Sequence, residues 1–390
     1  MLPRRRREGE AIAASFAGSV QPSAKPVLRL LSRRPGTEPP PCIILRLRIG
    51  NPSIAVIVPN RNDARYLPRC LRSVLDQEVP PEELIVVDDG STDDSVAVIR
   101  SLIAGEPRAR LLVNERNLGT REAVDAALRE TRSEYVLFLA ANDAVLPGIF
   151  DRAKRCLARS PGAGLWSALA WLVDEEDRPI RLHLSPVAAL NDTFFPPERC
   201  VELAYRFGNW FTGTTLIYRR DSLREAGGFD DAYGASCDVI AALAVASRWG
   251  AAYSPEPLAV IRIHTGSFSS LWLKDVAGLD TMLDRLRARG PQLSPQLFGA
   301  PFLERIALRY RFAAVRESGG EALAEIASRL AGWKRTALRV TDRLVPANLR
   351  RLRVALGFLI LRPFDILPTL WNRMLGWVFV QLRLLVNRKS

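Results

Sequence analysis

From Ile54 the chain falls into a rhythm. Short runs of branched apolar residues each end in a polar turn, and between them lie stretches whose apolar residues recur every three or four positions. Continuous apolar runs bounded by turn residues predict strands buried on both faces, and the longer period predicts helices laid on them. The pattern places strands over 54–58, 84–87, 110–113 and 135–139, and helices over 64–77, 94–104 and 119–131. Strand starts are 30, 26 and 25 residues apart, the length of a βαβ unit. In the first helix Leu67, Cys70, Leu71, Val74 and Leu75 share one face. The elements add up to a parallel sheet of the nucleotide-binding type.

The strand ends carry the candidate chemistry. They read Pro59-Asn60-Arg61-Asn62-Asp63, Asp88-Asp89-Gly90, Asn114 with Asn117, and Asn142-Asp143. In open α/β sheets ligands bind in the crevice beyond the carboxyl ends of the strands, so acids and amides at all four tips point to a site. Asp88 and Asp89 are read as ligand-holding, with Ser91 or Thr92 capping the next helix. The alternative is that Asp88, Ser91 or Asp93 only caps that helix. No G-x-G-x-x-G follows a strand and no G-x-x-x-x-G-K-[ST] occurs. A diphosphate held here would therefore need a metal ion and basic side chains.

Composition narrows the picture. The chain has 390 residues, 48% of them hydrophobic, and a net charge of +13. That charge sits at the ends: residues 1–50 carry 10 basic and 3 acidic groups, residues 301–390 carry 17 and 6, and the middle carries 28 against 33. A nucleic-acid footprint would put the positive surface on the folded domain, so nucleic acid is excluded as the partner. Five scattered cysteines with no C-x-x-C pair fit reduced thiols in a cytoplasmic protein better than a disulfide frame or a zinc site. No signal-peptide pattern follows Met1. The chain divides into a basic Pro/Arg-rich tail over 1–50, expected to be disordered, an α/β domain over 51–270, and a basic helical extension over 271–390. In that extension the apolar runs 354–361, 366–371 and 374–382 are broken by Arg362, Asp365 and Arg373, short of the roughly 18 residues of a spanning helix. With Trp371, Trp377 and flanking arginines they suit a helix lying in the inner membrane interface. A helical hairpin covering the sheet, or a dimer contact, is the other reading.

Together these residues carry a resemblance: Val56-Ile57-Val58-Pro59-Asn60-Arg61-Asn62-Asp63, Leu71-Arg72-Ser73-Val74-Leu75, Val86-Val87-Asp88-Asp89-Gly90-Ser91, Asn117-Leu118-Gly119, Tyr135 to Leu139, and Gly227-Gly228-Phe229-Asp230 with Asp238. Over about residues 53–270 the chain resembles a family 2 glycosyltransferase. The resemblance implies the GT-A fold, an α/β Rossmann-like, mostly parallel sheet flanked by helices. It implies an inverting transfer of a sugar from a nucleotide-diphosphate sugar, a UDP-sugar first among donors, to a glycan or lipid-linked acceptor hydroxyl. In that reading Pro59, Asp63, Asp88, Asp89, Asn117 and Asn142 bind the nucleotide-sugar, and Asp143 and His264 hold a divalent metal, Mn or Mg. Asp238 would be the catalytic base, and Trp210 and Gly213 would line the acceptor pocket. Asp238 could also cap the helix it begins, a role compatible with catalysis, and Trp210 could be ordinary core. Three departures stand out: the family's D-x-D segment reads Ala140-Ala141-Asn142-Asp143, its Ala-Arg-Asn reads Ala123-Val124-Asp125, and Cys237 replaces the usual Glu before Asp238. Ala140, Asn142 and Cys237 leave a second reading open, a non-catalytic nucleotide-sugar-binding partner protein at the membrane. No Q-x-x-R-W occurs, against a processive synthase.

Overall fold

The computed structural model describes residues 51–362 apart from 184, 264–271 and 273, and also residue 378. The tail over 1–50, His264, Trp371 and Trp377 lie outside the described residues.

The first half follows the sequence rhythm: β1 (Ile54–Asn60), α1 (Leu67–Leu75), β2 (Glu83–Asp89), α2 (Ser95–Leu102), β3 (Ala109–Asn114), α3 (Thr120–Glu130) and β4 (Tyr135–Phe138). α1 is shorter than expected at both ends. At its start the Asp63 carbonyl accepts from the Tyr66 and Leu67 N–H groups, a turn that precedes the helix. Pro68 then occupies the first turn, where a missing N–H costs nothing. At its end Gln77 leaves the helix, its Nε2 donating to Ser73 O (2.8 Å) and Leu146 O (3.2 Å) and its Oε1 accepting from Gly148 N (2.9 Å).

The second half breaks the rhythm. It runs β5 (Ala144–Val145), α4 (Ile149–Arg159), β6 (Leu165–Val173), β7 (Pro179–Leu182), β8 (Thr193–Phe195), α5 (Pro197–Phe207), β9 (Ile217–Arg219), α6 (Arg220–Glu225), α7 (Cys237–Trp249) and β10 (Ala251–Arg262). The sheet order is β3-β2-β1-β4-β9-β6-β10-β5, with β7 on β6 and β8 on β10. β1, β2, β3 and β4 pair in parallel, whereas the short β9 enters antiparallel between β4 and β6. The sheet is therefore mixed: β1 to β4 pair in parallel, as do β6 and β10, and the antiparallel pairs are those made by β5, β7, β8 and β9.

Strand alternation distributes the side chains between two layers. Ala55, Ile57, Ile85, Val87 and Val136 face one core with Ala123 of α3, Leu203 of α5 and much of α7. Ile54, Val56, Val58, Leu84, Val86 and Leu137 face the other, with Leu67 of α1, Ile99 of α2 and Phe150 of α4. The chain then continues as α8 (Val276–Leu293), α9 (Ala300–Glu317), α10 (Leu323–Ser328), α11 (Gly332–Leu344) and α12 (Arg350–Leu361). These helices extend the first core through Leu279, Phe302, Ile326, Leu338 and Leu361, so within the described residues the helical region shares its core with the sheet. None of the described helices is long and apolar enough to cross a membrane.

Candidate functional site

The tips of β1 and β2 are stitched together by their own acids. Asp88, wholly buried, accepts at Oδ2 from Asn60 Nδ2 (2.7 Å) and Ser91 Oγ (2.6 Å) and at Oδ1 from Ser91 N (2.9 Å). Asp89 accepts at Oδ1 from Asn114 Nδ2 (2.9 Å) and Leu118 N (2.8 Å), and at Oδ2 from Gly119 N (2.8 Å). Burial pushes the Asp89 carboxyl up, but those three donors, with the nearby Arg61 charge, hold it below the usual carboxylate range. A carboxylate offers about four lone-pair sites, so each acid has room for little more than one ligand contact. Gly90 follows them at φ 69°, and a Cβ there would come within 2.6–2.7 Å of Arg116 C and Asn117 N. Only glycine lets the turn and the 114–118 loop touch.

The helix after β2 is capped otherwise than expected. Asp93 Oδ1 takes the Ser95 N–H (3.0 Å) and its Oδ2 takes Ala64 N (3.1 Å). Ser91 instead accepts from Asn62 N (3.0 Å) while donating to Asp88, and Thr92 N donates to Asn62 Oδ1 (2.8 Å). Ser91 and Thr92 therefore tie two loops together, and it is Asp93, just before the N-cap residue Asp94, that takes the first helical N–H. Asn62 adopts φ 58°, a left-handed conformation asparagine tolerates well. Asn117 Oδ1 accepts from Gly119 N (3.1 Å) at the exposed start of α3, and Pro59 is half-buried in register with Val87.

Beyond β4 the segment turns inward. Asp143 accepts at Oδ2 from Thr214 Oγ1 (2.8 Å) and at Oδ1 from Arg262 N (2.9 Å). Burial pushes its carboxyl up to about 6; those two bonds and the Arg262 charge oppose the rise, and the Asp63 charge adds to it. Arg262, itself buried, donates from Nε to Asn142 O (3.1 Å) and from Nη1 to Asp174 O (2.9 Å) and Glu175 O (2.8 Å). It also pairs with Asp177 and lies 4.6 Å over the Tyr66 ring. Thr214 and Arg262 are 71 and 119 residues from Asp143 in sequence, and sequence reasoning did not find them as its partners. The remaining signal was an uncharged threonine in Trp210-Phe211-Thr212-Gly213-Thr214 and an arginine ending β10.

These donors do not fit a hard divalent ion. Asn142 is neutral, both Asp143 oxygens are engaged by protein donors, and no group of three or more His, Cys, Asp or Glu that could hold a metal occurs among the described residues. Hard cations take several oxygen ligands, chiefly carboxylates and carbonyls. His264, the other expected ligand, lies outside the described residues.

Asp238 stands in the first turn of α7, its Oδ1 accepting from Val239 N (2.7 Å). A Cβ on Gly213 would lie 2.7 Å from Asp238 Oδ2, so the missing side chain leaves room for the carboxylate. Burial raises the Asp238 carboxyl above the ordinary range, with the backbone N–H bonds opposing. Tyr218 Oη donates to Asp238 O (3.0 Å), and the Phe229 ring meets Phe138 edge-on at 4.8 Å, seating the Gly227–Asp230 loop over the end of β4. The Cys237 thiol is pushed up to about 12 by burial and by Asp238, which leaves it protonated and inert at neutral pH. Trp210 is a correction: it is fully buried, edge-on to Phe195 at 5.4 Å and 3.9 Å from Phe211. It stands in the core, three residues before the Gly213 turn.

Comparison with known proteins finds a family match in the first half of the sheet. Residues 55–153 match the model described as Glycosyl transferase family 2. An uncharacterized protein of Mycobacterium tuberculosis is 28% identical over 251 residues, which are 63% of this chain and 76% of that protein. The succinoglycan biosynthesis protein ExoO of Rhizobium meliloti is 30% identical over 224 residues, 56% of this chain and 63% of its own length. Among solved structures, a mannosyltransferase from Pyrobaculum calidifontis in complex with GDP-Man and Mn2+ aligns over 81% of this chain and 87% of that one, at 19% identity and a TM-score of 0.48. With the matched segment spanning β1 to α4 and its acids at the strand tips, the chain carries a glycosyltransferase family 2 domain of the GT-A fold.

Proposed function

We propose that the chain is an inverting glycosyltransferase. It moves a hexosyl group from a nucleotide-diphosphate sugar, a UDP-sugar first among donors, to a hydroxyl of a glycan or lipid-linked acceptor in surface glycan synthesis at the inner face of the membrane. The observation that carries this reading is the Asp238 carboxylate, raised above its ordinary range and set against the bare Cα of Gly213. A base of raised pKa works nearer its operating pH.

In the reaction the acceptor oxygen bonds to the anomeric carbon and its proton passes to Asp238 Oδ2, while the bond from that carbon to the diphosphate oxygen breaks and its electron pair leaves with the diphosphate. Attack opposite the leaving group inverts the centre. The platform of Asp88, Asp89, Asn114 and Asn117 fixes the nucleoside, with Pro59 and Asp63 on the β1 side. A divalent ion would offset diphosphate charge, but since the described donors do not fit one, no step here depends on it. The second reading, a nucleotide-sugar-binding partner without catalysis, draws on the inward-held Asp143 and on Cys237 beside the base.

Thermal unfolding with UDP, GDP, dTDP and CMP, each with and without Mn2+, tests the donor site. One nucleotide is expected to stabilise the chain, by about 2.7 kcal/mol at a hundredfold excess over its Kd. No response to any nucleotide would overturn both readings. Gly213→Ala is expected to push the Asp238 carboxylate aside, lowering kcat by about tenfold or more while the nucleotide response stays intact. An unchanged kcat would remove Gly213 from the site.

A further inference from the structure

We propose that the outer face of α11 and α12 docks on an anionic lipid surface. This rests on the membrane placement proposed above and names the surface that makes the contact. At about 100° per residue, Trp333, Val340 and Leu344 fall within about 40° of one another around α11. They are 60%, 49% and 71% exposed, while Leu338 and Thr341 on another side of the helix are buried. On α12, Leu352 and Leu359 share a line and are each 48% exposed, with Leu349 at the helix start 47% exposed. The two helices pack against one another and are joined by the Arg353–Asp342 ion pair. A helix of a soluble protein ordinarily turns its polar side to water. Here two adjacent helices turn apolar stripes outward, the kind of patch that marks an interaction site.

Charge identifies the occupant. Residues 331–362 hold eight basic groups and one acidic group, Asp342, and that acid is taken by Arg353. Lys334, Arg339, Arg343 and Arg351 make no ion pair among the described residues. Tryptophan and leucine bordered by arginine and lysine is the composition of a surface that sinks into the headgroup layer and draws anionic lipid to its rim. A second copy of this chain is a poorer fit, because a two-fold contact would set eight positive groups against eight. The sequence continues in the same character over 363–390, where Arg373, Arg383, Arg388 and Lys389 stand against the single Asp365.

Flotation of the full chain with vesicles of phosphatidylcholine, alone or mixed with phosphatidylglycerol, tests the proposal. The wild type is expected to bind the mixed vesicles and not the neutral ones. Trp333→Ser with Leu344→Ser, and separately Arg339→Glu with Arg343→Glu, are each expected to lose about tenfold or more in partitioning. Their thermal midpoints stay unchanged, since the side chains are already exposed. A wild type that floats with neither vesicle overturns the membrane placement itself. Wild-type binding with unaffected variants keeps the placement and overturns this face. A wild-type dimer in solution that the Trp333→Ser, Leu344→Ser variant breaks gives the face to a second copy and overturns the proposal.

Discussion

Asp238→Asn is expected to abolish transfer, lowering kcat by about 10²- to 10⁴-fold, the usual contribution of a positioned general base. The amide keeps the shape of the side chain, and its Oδ1 can still accept from Val239 N, so α7 keeps its first turn and the fold is undisturbed. Nucleotide-induced stabilisation should therefore match the wild type, because the proposed donor platform is built from β1, β2 and the loop after β3. In the wild type the base must be ionised to act, and burial has moved its titration upward. The acid limb of kcat/KM is accordingly expected above the usual carboxylate range, falling as pH drops through the raised pKa. Wild-type turnover in Asp238→Asn would take Asp238 out of the mechanism. Absence of turnover in both proteins, with nucleotide binding intact, would establish the non-catalytic reading.

The second large effect concerns stability. Asp143 titrates near 6 in the folded chain against an ordinary 3.8. Below the lower value both states are protonated and the carboxyl makes its full contribution. As pH rises through the window the unfolded chain releases its proton first, so the folded state loses stability relative to it, by roughly 3 kcal/mol across about two pH units. Above the folded pKa no further loss accrues. Asp143→Asn lacks this dependence, and its amide can still accept from Arg262 N with Oδ1 and donate to the Thr214 hydroxyl with Nδ2. The variant is therefore expected to gain on the wild type by about 3 kcal/mol between about pH 4 and pH 7 in chemical denaturation. Parallel curves would mean that Asp143 titrates as an exposed acid does.

What the sequence made legible follows from local physics. Strands covered on both faces by helices must be apolar throughout, so β1, β2 and β4 stood out, and α1 to α3 announced themselves by their period. The acids at the tips were legible for the same reason, being abrupt exceptions to apolar runs. β9 was not, because three residues give no period, and its antiparallel place between β4 and β6 is decided by partners elsewhere in the chain. Nor were the partners of Asp143, since a carboxylate reads the same whether it points at solvent or is held by Thr214 and Arg262. Trp210 was ambiguous on its own terms: an aromatic before a glycine turn serves a pocket or a core, and only the positions of Phe195 and Phe211 decide. The first N–H of α2 went to Asp93 while Ser91 was engaged by Asp88 and Asn62.

The alternation of β2 carries through to its last two residues. Val86 faces the α1 and α2 layer and Val87 the α3 and α7 layer, so the neighbouring acids inherit opposite sides. Asp88 bonds the turn that leads into α2, while Asp89 bonds the amides that open α3. The doubled aspartate is thus one rivet through both sides of a plate, and the nucleotide proposed for this edge would meet a seam already fastened on either side.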